Sequence, residues 1–263
     1  MTPRRHIHAQ RWGTGPRMVL LHGWTMCGAV MAPLAAALPG FACVAPDLPG
    51  HGATAGYQAD LPGAVAMLGD LLADGVPTLL VGWSLGALIG WQWLDAHGPG
   101  PVTGMVSLDM SPRPLPEPGW DFAMSGQSAG RIRARTDWFR DDWPGAVGPL
   151  AAGIFATDAG GPAFTAAQAR AVIGAQDGAV MAGFWSSLIE ADCRAAVRRL
   201  PVPLLAVHGA QSRVYPPACA DWMAGAAPHG AALRISGAGH APHLERPEET
   251  AAAIAAFARQ VVA

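Results

Sequence analysis

Lysine and asparagine are absent from the chain of 263 residues, so all 17 basic side chains are arginines. Without a primary amine there is no Schiff-base lysine, no pyridoxal-phosphate anchor and no Walker-type phosphate loop. Without asparagine there is no N-glycosylation acceptor and no Cys-His-Asn protease arrangement. Cysteine is scarce too: Cys27, Cys43, Cys193 and Cys219 stand far apart, with no Cys-x-x-Cys pair to suggest a zinc site or dithiol redox centre. They read as small apolar side chains. No sign of charge dominates, because 17 arginines face 19 acidic residues for a net charge of -2. That balance lacks the positive field that nucleic acid or an anionic membrane surface would attract. The longest apolar stretch, Leu79 to Leu94, is interrupted by Ser84, Gly86, Gly90 and Gln92 and is too short to span a bilayer. Two arginines near the start, Arg4 and Arg5, precede no apolar run before Gly13, so no secretory signal is expected and the cytoplasm is the expected compartment.

What is present is a chain with 51% hydrophobic residues, enough for a large buried core. Short apolar runs bounded by Gly, Pro and Asp alternate with Ala/Leu-rich stretches of helical period, the pattern of parallel strands joined by crossover helices. Strands are expected at Met18–His22, Cys43–Asp47, Thr78–Trp83, Val102–Asp109, Leu204–Gly209 and Ala231–Ser236, with an antiparallel edge strand within His6–Trp12. Helices are expected at Cys27–Leu38, Asp60–Asp74, Leu85–His97, Pro217–Ala227 and Arg246–Val262. The alternation stops between Ser111 and Arg199, where short helical pieces follow four prolines and carry nine of the 19 aromatic residues. Such a segment must pack onto something. The reading is an α/β core of residues 1–110 and 200–263, with residues 111–199 inserted as a helical cap over the strand ends.

Chemistry concentrates in a few places. Gly82-Trp83-Ser84-Leu85-Gly86 joins an apolar strand to a helix, and a serine in so tight a turn needs glycines beside it. Ser84 is the expected nucleophile. Its proton needs an imidazole, and His240, in a small-residue loop after the last strand, is the candidate, with His243 expected to face the following helix. The backbone N–H groups of Trp24 and Leu85 are the expected oxyanion donors, and His22 the residue that shapes the turn before Trp24. Trp83, Trp143 and Phe184 are the expected pocket walls, with the Trp24 indole beside them.

Taken together, Leu21-His22-Gly23-Trp24, Asp47-Leu48-Pro49-Gly50-His51-Gly52, the Ser84 turn, Val202 to Gly209 and Gly239-His240 through Glu248 resemble an α/β-hydrolase of the small serine carboxylesterase type. The order and combination are similar to pimeloyl-ester carboxylesterases and non-haem haloperoxidase-like esterases, and cover the chain from about residue 18 onward. The resemblance implies a mostly parallel sheet flanked by helices, a Ser-His-acid triad, no cofactor, no metal, and a loop braced by Asp47 and His51.

One departure stands out. The family usually carries its acid in a Gly-x-x-Asp turn, and here that turn reads Gly209-Ala210-Gln211-Ser212. A serine cannot balance an imidazolium. Asp109 ends the strand next to the Ser84 strand and should face the same crevice, a relocation that some α/β-hydrolases use. Asp192 is the other candidate. A plain turn-capping role for Asp109 is the bland alternative.

His6 and His8 resemble two metal ligands without a third. The arginines Arg131, Arg133, Arg135 and Arg140 could receive an acidic carrier protein, but Asp137, Asp141 and Asp142 interleave with them, which favours a solvated face. The expected function is hydrolysis of a small, modestly apolar carboxylic ester through an acyl-enzyme. Thioesters, lactones, C–C bonds and perhydrolysis are alternatives on the same scaffold, and a non-catalytic ligand receptor is the alternative of another class.

Overall fold

The computed structural model describes residues 4–261. Seven strands form one sheet in the order β1-β3-β2-β4-β5-β6-β7. They are β1 (Ala9–Trp12), β2 (Arg17–Leu21), β3 (Ala42–Pro46), β4 (Thr78–Trp83), β5 (Val102–Leu108), β6 (Leu204–Gly209) and β7 (Gly230–Ile235). Only β1 runs antiparallel, against β3, as the weak alternation at the start predicts. The apolar runs become strands because helices cover both faces: every residue of β4 and β6 is buried. By contrast β7 closes the sheet as an edge and is mostly exposed.

The core helices are α1 (Ala32–Ala36), α2 (Leu61–Leu72) and α3 (Leu85–His97), later joined by α9 (Cys219–Ala226), α10 (Pro242–Glu245) and α11 (Pro247–Val261). Where one helix is expected over Cys27–Leu38, the chain makes a 3-10 turn, Gly28–Met31, and then the single turn of α1. Pro39-Gly40 then ends it. The α2 start is fixed by Asp60, whose side chain accepts the Gly63 N–H at 2.7 Å. Val262, the expected end of the last helix, and residues Met1 to Pro3 lie outside the described residues.

Between β5 and β6 the chain adds α4 (Ala129–Asp141), α5 (Trp143–Gly153), α6 (Ala166–Gly174), α7 (Gly178–Glu190) and α8 (Arg194–Arg198). The first four pack as two pairs, α4 with α7 and α5 with α6, while α8 packs against α3 and α9. No helix among the described residues is long and apolar enough to cross a membrane.

The sheet order reverses between β2 and β4: from β2 the chain steps outward to β3, then returns to pair β4 on the other side. Crevices at the carboxyl ends of such strands are where α/β sheets bind ligands. Gly23-Trp24 follows β2, and Ser84 follows β4.

Candidate active site

Ser84 sits in the turn between β4 and α3 with φ 51° and ψ -115°. A side chain in that conformation is strained, and only three described non-glycine residues have positive φ: Thr25, Ser84 and Asp109. Each follows a neighbouring strand, β2, β4 or β5, so the strain gathers at one edge of the sheet. The flanking glycines make the turn feasible. A Cβ on Gly82 would lie 2.5 Å from the Gly86 carbonyl, and one on Gly86 would lie 2.4 Å from the Leu21 carbonyl. Gly23 approaches from β2, where a Cβ would stand 3.4 Å from Ser84 Cβ.

Ser84, His240, Trp24 and Trp83 line one cavity of about 230 Å³, together with Thr25, Trp185 and Tyr215. Ser84 Oγ contacts Met110 Sδ at 3.9 Å. Ser84 and His240 make no hydrogen bond to each other here, a looseness common in unliganded hydrolases. At the helix start, Leu85 N–H has no preceding turn to bond, and Trp24 N–H donates to no described backbone carbonyl.

His240 Nδ1 donates to Asp109 Oδ1 at 2.8 Å. Asp109 is fully buried and receives two further bonds, from the Gly209 N–H to Oδ2 at 2.9 Å and from the Ser212 hydroxyl to Oδ1 at 2.8 Å. Burial acts to raise its pKa, but the influence of His208, the His240 hydrogen bond and the Gly209 N–H outweigh it and hold the carboxyl below its usual value. Ser212, at the position where the resemblance implies an acid, therefore serves the carboxylate that replaces it. Asp192 lies elsewhere, paired with Arg194 at 2.5 Å on the surface.

The His240 loop is held from two sides. Trp83 Nε1 donates to the His240 carbonyl at 2.7 Å. Glu245, buried, accepts the Gly239 N–H at 2.6 Å with one oxygen and the Ala156 N–H of the inserted segment at 2.7 Å with the other. The two segments touch so closely that a Cβ on Gly239 would lie 2.4 Å from Ala156 N. Burial raises the Glu245 pKa, opposed by the two backbone donors. The motif that contains Glu245 was visible in the sequence, but its clamping role was not. His243 is fully buried edge-on to Trp83, with ring centroids 4.6 Å apart, rather than facing the next helix.

Two expected pocket walls are not among the cavity's lining residues. Trp143 packs edge-on to Trp24 at 6.2 Å and donates its Nε1 to the Ile173 carbonyl, which makes it a buried layer behind Trp24. Phe184 is fully buried against His51, with centroids 4.7 Å apart. The next residue along α7, Trp185, and Leu188 line the cavity instead, because successive helical residues point about 100° apart.

The bracing residues fall where the resemblance implies. Asp47 accepts the Gly28 and Ala53 N–H groups at 2.8 and 2.9 Å, and His22 Nε2 accepts the Leu48 N–H at 2.9 Å. His8 bonds Asp47 at 2.9 Å, and no group of three or more potential metal ligands occurs among the described residues.

Residues 18–253 match the alpha/beta hydrolase family, and the chain belongs to it. A protein of Chromobacterium violaceum named pimeloyl-(acyl-carrier protein) methyl ester esterase is 31% identical over 95% of this chain and 97% of its own length. A Xanthomonas oryzae protein of the same name is 31% identical over 97% of this chain and 100% of its own. Among solved structures, an esterase from Exiguobacterium antarcticum superposes with a TM-score of 0.88 at 18% identity, covering 97% of this chain and 96% of that one. A bromoperoxidase from Bacillus anthracis superposes at 0.86 and 19% identity, with the same coverage. These structural likenesses concern the fold.

Proposed function

We propose that the chain is a carboxylic ester hydrolase that cleaves a small, modestly apolar ester through an acyl-enzyme. His240 takes the proton of Ser84 as its Oγ attacks the carbonyl carbon, and the N–H groups of Trp24 and Leu85 receive the oxyanion. Asp109 keeps His240 in the right tautomer and balances the imidazolium. His240 then protonates the departing alcohol, and water repeats the sequence on the acyl-enzyme. The core of residues 1–110 and 200–263 supplies all of these groups, and the cap of residues 111–199 closes the cavity over them.

The observation that carries this reading is the 2.8 Å bond from His240 Nδ1 to buried Asp109, in a cavity shared with the strained Ser84. The receptor alternative drew its support from the missing carboxylate at position 212, and Asp109 removes that support. The names of the Chromobacterium and Xanthomonas relatives favour, as the particular substrate, a methyl ester of an acyl chain on a carrier protein. For such a carrier Arg131 stands exposed, while Arg133 and Arg140 are already paired with Glu190 and Asp137. The cytoplasm, where such a carrier would be met, remains the proposed place of action.

Steady-state hydrolysis of a series of p-nitrophenyl esters of rising chain length tests the reading. Repeated turnover is expected, and Ser84→Ala should lower kcat by roughly 10⁵ or more with the fold intact. A burst of product retained in Ser84→Ala would remove Ser84 from the chemistry.

A further inference from the structure

Four arginines among the described residues are half-buried: Arg17, Arg113, Arg135 and Arg194. Three of them meet carboxylates, Arg17 with Asp74 at 2.6 Å, Arg113 with Glu117 at 3.2 Å, and Arg194 with Asp192 and Glu117 at 2.5 and 2.7 Å. Arg135 meets none, and its guanidinium makes no hydrogen bond to any described residue. It lines the cavity that holds Ser84 and His240, where no lining residue is acidic. Arg213 lines the same cavity but is committed to Asp158 and to the Ala156 carbonyl, both at 2.8 Å.

The position of Arg135 follows from the helix. In α4 the buried residues are Ile132 and Phe139, three positions before and four after Arg135, so all three share the inward face. A cation has been placed where the amphipathic pattern calls for an apolar residue. Burial, and the like charge of Arg131 one turn earlier, both make the charged form less favourable there and lower its pKa. Holding a guanidinium partly out of water without a partner costs stability, and an anion that reaches it recovers the loss with charge-assisted hydrogen bonds.

We propose that Arg135 is an anion subsite of the ester cavity, and that the substrate carries a carboxylate or a phosphate separated from its ester by a short apolar spacer. Leu150, Ile154, Trp185 and Leu188, which line the same cavity, suit that spacer. Gln127, also in the lining, is a second donor for the anion. The subsite deepens the hydrolase reading and rests on it for the ester end.

Binding measured without turnover separates the two. The monoamides of succinic, adipic and suberic acid carry an anion and an uncleaved carbonyl group, and the corresponding diamides are their neutral counterparts. Quenching of the cavity tryptophans Trp24, Trp83 and Trp185 reports their binding. In the wild type the best-fitting monoamide should bind about tenfold or more tightly than its diamide. Arg135→Met should erase that preference and leave diamide affinity within about twofold, whereas Arg135→Lys should keep part of it. The amide of 6-phosphonohexanoic acid distinguishes the sources: tighter binding than the adipic monoamide assigns a phosphate ester, weaker binding a carboxylate. Equal binding of monoamides and diamides by the wild type overturns the proposal without any variant, as does a preference that survives Arg135→Met. If the amides behave as expected but no ester is cleaved, the subsite stands and the hydrolase reading falls.

Discussion

The ends of β5 and β6 lie side by side and contribute unequally to one interaction. Beyond β5 the chain turns at once, with φ 45°, and offers the carboxylate of Asp109. Beyond β6 it runs on through Gly209 to Ser212 and offers an N–H and a hydroxyl, both aimed at that carboxylate. Leu108 stands opposite Val207 in the parallel register, so the next residues, Asp109 and His208, stand opposite one another. Neighbouring strands are only about 4.8 Å apart. The catalytic requirement is for a charge at one point in space, and either strand end reaches it. The difference teaches that the acid can change strands while the geometry around the histidine persists.

The largest free-energy effect expected of this edge concerns its buried histidines. Burial pushes His22 down to about 4 and His51 and His243 down to about 3, and it lowers His208, which stands opposite Asp109, in the same direction. In the unfolded chain an imidazole titrates near about 6.5. Between those limits the unfolded chain binds protons that the native state refuses, so stability is complete above about pH 6.5 and falls as the pH drops toward 4. Thermal melts should lose on the order of 10 °C between about pH 7 and 5. A constant Tm over that window would mean that these rings are hydrated or already charged in the native state.

Next in size is Glu245→Gln. The amide has one acceptor oxygen for two backbone donors, so either Gly239 or Ala156 is left facing an NH₂ group. The loop that carries His240 loosens, and kcat should fall about tenfold to thirtyfold with KM for the smallest ester little changed. An unchanged kcat would show that the loop is held by Trp83 alone.

Smallest is Ser212→Ala, which deletes one of the three bonds to Asp109 and leaves the Gly209 N–H and His240 in place. A loss in kcat of about fivefold or less is expected. A loss as large as that caused by neutralising Asp109 would shift the weight of the site from the end of β5 to the end of β6.

Much of this was legible in the sequence, for reasons specific to each element. The run Thr78–Trp83 followed by Ser84 and an Ala/Leu-rich stretch contains a strand, a glycine-flanked turn and a helix, and all three occur with the expected bounds. Asp109 was reachable because sheet order follows from βαβ connections, although its positive φ leaves no trace in composition. Aromatic content marked the inserted segment as packed but could not tell which helical face meets the cavity. Trp185, and not Phe184, lines it; a single residue step rotates the side chain by about 100°. Arg135 was hidden among interleaved charges, yet its three- and four-residue spacing to Ile132 and Phe139 was there to be read. Glu245 acts through two backbone groups 6 and 89 residues away, and no local pattern encodes the second.

The central claim is that a carboxylate from β5 serves the histidine that serves Ser84. Asp109→Asn tests it most directly, because the variant keeps the shape and removes the charge, and the amide can favour the wrong His240 tautomer. With the fold verified by its melting curve, kcat for ester hydrolysis should fall on the order of 10⁴-fold. Turnover within about tenfold of the wild type would contradict the account and send the search for the acid elsewhere.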